Sequence, residues 1–95
     1  MKNKILTFSE IQKFKVYLSS GEKSAATTEK YLRDVRAFAR FAGGAGLTKE
    51  TVIAYKKHLQ GNYAVRSVNS ALASLNSFFG FLGWSDLKVK SLKLQ

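Results

Sequence analysis

Apolar residues recur at spacings of three and four along most of the chain, the period of helices with one buried face. Glycine clusters interrupt this pattern, and no proline does. Four helices are predicted on that basis. The first follows Thr7-Phe8-Ser9-Glu10, a capping box in which Thr7 bonds the Glu10 amide and Glu10 reaches back. Its inward stripe reads Phe8, Ile11, Phe14 (or the stem of Lys15), Tyr17 and Leu18, and Ser19-Ser20-Gly21 ends it. A polar connection over 22–26 leads to a second helix, from near Thr27 or Thr28 to about Phe41. Tyr31, Val35, Phe38, Ala39 and Ala42 share one face of it. Gly43-Gly44-Ala45-Gly46 stops this helix, since glycine supplies a left-handed cap and weakens a helix interior. The third begins after Thr48, with Glu50 in its first turn and Lys56, Lys57 and His58 toward its last, complementing the helix dipole at both ends. It turns Val52, Ile53, Tyr55 (or the stem of Lys56) and Leu59 inward, and Gly61-Asn62 closes it. The fourth runs from about Val65 to Leu82, where Val68, Ala71, Leu72, Leu75, Phe78, Phe79 and Leu82 fall in one broad stripe. The tail, Trp84 to Gln95, carries Leu87, Val89, Leu92 and Leu94 in weak alternation, a pattern shared by a strand, a linker and a short fifth helix.

The outward face of the fourth helix is unusual. Arg66, Ser70, Ala73 and Ser77 lie on it, with Asn69, Asn76 and Gly80 along one side and Ser67 and Ser74 along the other. No acidic residue occurs from Tyr63 to Gly83. A solvated face ordinarily carries Glu and Lys one turn apart. Short hydrogen-bonding side chains and one Arg lower helix propensity, but they allow close approach and can donate to phosphates and base edges. The bland alternative is a second protein helix packed on the same small residues. On the second helix Arg33, Arg36 and Arg40 form a ridge opposite the core stripe, where Glu29 can pair with Arg33 and Lys30 with Asp34. Lys23, Ser24, Thr27 and Thr28 cluster at its start, where unpaired amides and the helix dipole favour a phosphate.

Composition narrows the function classes. The chain has 95 residues, 16 Lys plus Arg against 6 Asp plus Glu, and a formal net charge of +10. That length suits one all-α domain with one core, and the charge suits a polyanion, nucleic acid before anionic membrane. With no cysteine there is no disulfide framework and no Cys-ligated zinc. One histidine, His58, makes a poor start for a metal site, and no metal or other cofactor is expected. Asp34 and Asp86 are the only aspartates, too few for a two-metal nuclease. Tyr17, Tyr31, Tyr55 and Tyr63 lack the clustered Arg and His that would activate a phenol against a phosphate. The glycine-rich loop lacks the Lys-Ser/Thr of a P-loop and follows a helix, not a strand. Apolar runs are too short for a membrane span, and the first residues lead into no signal-peptide core.

Thr27-Thr28-Glu29-Lys30-Tyr31-Leu32-Arg33-Asp34-Val35-Arg36-Ala37-Phe38 resembles the T-x-x-x-Y-x-x-D-[LV]-x-x-F signature of the core-binding domain of tyrosine recombinases, the phage integrase and Xer group. The run from Arg66 to Leu82 is similar to that family's R-[TS]-[IV]-N-x-x-L-[SA]-x-[LI]-[RN]-x-F-F-x-[FY]-L helix. Leu47-Thr48, Tyr55 and Leu59 match the intervening helix more loosely, and the resemblance spans about residues 5 to 83. It implies a SAM-like bundle of four to five short helices, half of a clamp around double-stranded DNA, with the second and fourth helices against the major groove. Carried over by position, it implies DNA contacts from Thr27, Lys30, Arg33, Arg66, Ser67, Asn69, Ser70 and Ser74. Tyr31, Phe38, Leu72, Leu75, Phe78 and Phe79 match buried positions of the family. Asn76 and Ser70 stand where many relatives carry Arg or Lys. The family's catalytic residues lie in a further domain that these 95 residues do not contain. The resemblance therefore implies a binding module with no catalytic residue of its own. Its implied partners are the catalytic domain of the same recombinase and neighbouring protomers, in a bacterial cytoplasm, at the nucleoid. Residues 84–95 then read as a short helix or as the linker toward that catalytic domain.

Two other classes compete. A stand-alone protein-interaction domain would use the Ser/Asn face as a helix dock, with its charge serving solubility. A basic module for RNA or anionic lipid would need exposed stacking aromatics or a second apolar face, and the core stripes use up most of both.

Overall fold

Four α-helices form in the stretches between the glycine stops. The computed structural model describes residues 4–93. Helix α1 spans Phe8–Ser20, α2 Ala25–Ala42, α3 Lys49–Gln60 and α4 Val65–Leu82, and a 3-10 turn follows at Ser85–Leu87. Among the described residues the only β-type pairing is an isolated bridge between Lys4 and Leu47. The architecture is the all-α one that the periodicity predicts.

Helix ends follow local chemistry. The Glu10 carboxylate accepts from the Thr7 amide at 2.7 Å and from the Thr7 hydroxyl at 2.6 Å, fixing the start of α1. Helix α2 starts at Ala25, earlier than the expected Thr27 or Thr28. Ser24, not a threonine, is its cap: the Ser24 hydroxyl oxygen accepts from the Thr27 amide at 3.1 Å. The far end of α2 closes on Gly43, whose φ of 66° is left-handed, and whose N–H donates to the Ala39 carbonyl. Gly83, at φ 76°, ends α4 in the same way.

Helix α4 packs against the other three helices. Phe78 meets Phe14 of α1 edge-on at 5.1 Å, while Phe38 of α2 lies between Tyr55 of α3 at 5.2 Å and Phe79 of α4 at 5.8 Å. Leu72, Leu75, Phe78, Phe79 and Phe38 are buried as expected, and Tyr31 is half-buried. Three inward assignments fail. Phe8 is 73% exposed, Tyr17 52% and Ile53 39%, because α1 and α3 are outer helices with narrow contact seams. On α1 only Ile11, Phe14 and Leu18 enter the core, while the Tyr17 ring packs against Phe81 at 4.7 Å, tilted by 31°. Conversely Leu32, absent from the expected stripe of α2, is wholly buried, so the buried face is rotated toward Thr28, Leu32, Val35 and Phe38.

The tail is neither a fifth α-helix nor a loose end over the described residues. After the 3-10 turn it runs extended, with Leu87 and Val89 buried in the core. Its backbone groups need partners, and α3 and α4 supply them. Asn76 donates to the Val89 carbonyl at 2.8 Å and accepts from the Val89 amide at 3.0 Å. Asn69 does the same for Leu92, at 2.9 and 2.6 Å. From α3, the ammonium of Lys56 donates to the Lys90 carbonyl at 2.6 Å, and that of Lys49 to the Lys88 carbonyl. An ion pair at 3.2 Å joins Lys4 to Asp86. Lys2 and Leu94 lie outside the described residues.

Candidate nucleic-acid interface

Along the seam between α2 and α4 runs a shallow cleft. Its middle section, about 350 Å³, is lined by Lys30, Asp34, Arg66, Ser67, Ser70 and Ala71. It continues past Lys30 to Thr27, Tyr31 and Ala73 on one side. On the other side it passes Asp34 to Arg33, Tyr55, Tyr63 and Ser67. Six of the eight sequence-predicted contacts therefore stand along one continuous surface: Thr27, Lys30, Arg33, Arg66, Ser67 and Ser70.

The floor of the cleft is a closed polar network. Lys30 donates to the Ser70 carbonyl at 2.8 Å and to the Ser74 hydroxyl at 3.1 Å, and it pairs with the Asp34 carboxylate at 2.7 Å. Ser74 donates in turn to the same Asp34 oxygen at 2.7 Å. Ser74 has no exposed surface, consistent with its full set of partners. Its place is structural: it ties the two helices together and presents nothing outward. Asn69 is likewise occupied, on the other flank of α4, where both ends of its amide hold the tail. Most of the polar residues of α4 thus fall into two groups. Ser74, Asn69 and Asn76 serve the fold, whereas Arg66, Ser67 and Ser70 remain exposed.

Electrostatics single out the start of α4. Its cap residue is Ala64, which offers no side chain to the first amides. Those amides share the helix end with exposed Arg66 and Ser67, in a stretch free of carboxylates, so donors and the positive end of the dipole coincide. At the start of α2 the same feature is weaker than the sequence suggests. Ser24 already bonds the Thr27 amide and Thr28 is buried, which leaves exposed Lys23 and half-buried Thr27. Of the two ion pairs expected on α2, Lys30–Asp34 forms, and Glu29–Arg33 is not among those of the described residues. Arg33, Arg36 and Arg40 are all exposed.

Burial pushes the Tyr55 phenol above its ordinary value, and nearby Asp34 adds to this, the opposite of what a nucleophilic phenolate needs. Among the described residues no group of three His, Asp or Glu side chains could hold a metal ion. No helix of the described residues is long and apolar enough to cross a membrane.

The cross-helix network was half legible in the sequence. Lys30 and Asp34 are one turn apart and read as a pair, but nothing in one helix's periodicity tells which flank of α4 will face α2. Among known families, the one described as phage integrase, N-terminal SAM-like domain, matches residues 11–86. Neither the curated proteins nor the solved structures gave a match.

Proposed function

The chain belongs to the phage integrase N-terminal SAM-like domain family, which gives it a role in integrase-mediated DNA recombination, and we propose that its part is to grip double-stranded DNA. The gripping surface is the α2–α4 cleft together with the open start of α4. The observation that carries this reading is the company Arg66 keeps. It stands with Ser67 and Ser70 on an acid-free helix whose first amides lack a side-chain cap, and it shares the middle of the cleft with Lys30, beyond which the surface continues to Thr27. The one carboxylate within the cleft, Asp34, is engaged by Lys30 and Ser74. What remains outward is cationic or a short donor, suited to phosphates and to the edges of a major groove.

In this reading α4 enters the major groove with its small-residue ridge, and α2 lies beside it with Thr27 and Arg33 toward the backbone. Asn69 and Ser74 support that surface from behind. The bond-breaking chemistry belongs to the catalytic domain of the same recombinase, in the bacterial cytoplasm and at the nucleoid. Phe8, Val16 and Tyr17, exposed on α1, favour an additional protein contact, which we assign to neighbouring protomers.

Salt dependence tests the proposal. About 4–6 phosphate contacts give a log–log slope of affinity against salt of about −4 to −5, with a non-specific Kd on the order of 10⁻⁴ to 10⁻⁶ M. Arg66→Ala should make the slope shallower by about 0.9 and leave the melting temperature unchanged, since Arg66 is exposed and makes no ion pair among the described residues. Salt-independent affinity, or an Arg66→Ala chain that binds as the parent does, would count against it.

A further inference from the structure

The ridge of α4 begins with a cation and, within the helix itself, has no second one. From Ser67 to Leu82 there is no Lys or Arg. The far end is supplied from outside the helix. Lys88, in the extended tail, lies across Gly80: a β-carbon at Gly80 would sit 3.1 Å from the Lys88 ammonium nitrogen and 3.2 Å from Cε. A β-carbon there would push the end of the lysine outward by a few tenths of an ångström, so glycine lets the ammonium lie closest to the helix despite its cost to the helix.

The backbone on either side of Lys88 is fixed. Its own carbonyl accepts from Lys49, its amide donates to the Ser85 carbonyl at 3.2 Å, and the next residue, Val89, is held at both N–H and C=O by Asn76. Lys88 is exposed and makes no ion pair among the described residues. Arg66 and Gly80 are separated by about 20 Å of helix at ~1.5 Å per residue. With the reach of both side chains, a cation stands at each end of an uncharged ridge. A helix lying in a major groove about 12 Å wide meets a phosphate strand on each side.

We propose that Lys88 is a phosphate-binding residue, the counterpart of Arg66, and that the pinned tail is a third wall of the DNA surface. This rests on the DNA-gripping role proposed above. The competing role for Lys88 is internal, an ammonium that offsets the negative end of the α4 dipole, and the two separate by experiment.

Binding of the full chain to a short duplex, labelled for fluorescence anisotropy, is measured from low to moderate salt together with thermal melting. Lys88→Gln should weaken binding on the order of 5–10-fold near 0.1 M salt and make the slope shallower by about 0.9, with the melting temperature unchanged. Lys88→Arg should restore both, and Lys57→Gln, which removes the same charge from the exposed side of α3, should leave the slope near that of the parent. A Lys88→Gln chain that melts lower yet binds like Lys57→Gln overturns the proposal and assigns Lys88 to the helix end. If the parent binds and Arg66→Ala weakens it while Lys88→Gln does not, only this inference fails. A parent chain that does not bind the duplex removes both it and the DNA-gripping role.

Discussion

Ser74 shows how much one side chain can change the meaning of a surface. By residue type it belongs with Ser67 and Ser70 as an outward donor, yet it is wholly buried and its hydroxyl joins Lys30 of α2 to Asp34 of the same helix. The sequence assigns the polar residues of α4 no benefit to folding; Ser74, Asn69 and Asn76 each have one. Arg66, Ser67 and Ser70 have no comparable side-chain partner and keep the functional reading. Asp34 holds the network together because two donors converge on one of its oxygens. Removing it takes away the counter-charge of Lys30 and leaves the Ser74 hydroxyl only a long contact to the Ser70 carbonyl, at 3.4 Å, beneath the cleft. Asp34→Ala is therefore expected to cost about 1–3 kcal/mol, measured by urea denaturation, whereas Ser67→Ala on the open surface should fall within about 0.5 kcal/mol of the parent.

At the scale of elements, helix existence was legible and helix context was not. The limits of α4 and the stop at Gly43 follow from the apolar period and from glycine, both local properties. The start of α2 lies earlier than the sequence pattern places it because two threonines compete with Ser24 for the cap, and the backbone uses the residue whose oxygen reaches the Thr27 amide. The tail was open among three readings since its order comes from Asn69, Asn76, Lys49 and Lys56 on two other helices, which no window of sequence contains. Phe8 and Tyr17 fit a helical stripe but exceed the seam that an outer helix buries. The capping box of α1 yields a pH prediction. The hydrogen bond from the Thr7 hydroxyl, followed by that from the Thr7 amide, holds the Glu10 carboxyl below its ordinary value. A depressed carboxylate pKa contributes stability above the unfolded value, about 4.3, and loses it as pH falls through the folded value. The melting temperature should therefore drop on acidification below about pH 4.3, and Glu10→Gln should flatten part of that drop.

For the whole molecule, a charge of +10 explains attraction but does not choose a face. The cations are distributed over every helix and the tail, and α4, the helix assigned to the groove, contains just one of them. The structure changes how that scarcity reads. Three lysines have local positions: Lys49 and Lys56 hold the tail, and Lys88 lies across the end of α4. In the proposed reading the DNA surface is the joint product of α2, α4 and the pinned tail, with most of the remaining charge serving long-range attraction. The most direct test is an NMR titration of the ¹⁵N-labelled chain with a short duplex at low salt. The account predicts salt-reversible shifts gathered at Thr27, Lys30, Arg66, Ser67, Ser70 and Lys88. Shifts spread over Lys13, Lys15, Lys57 and the other surface lysines, with the start of α4 silent, would contradict it.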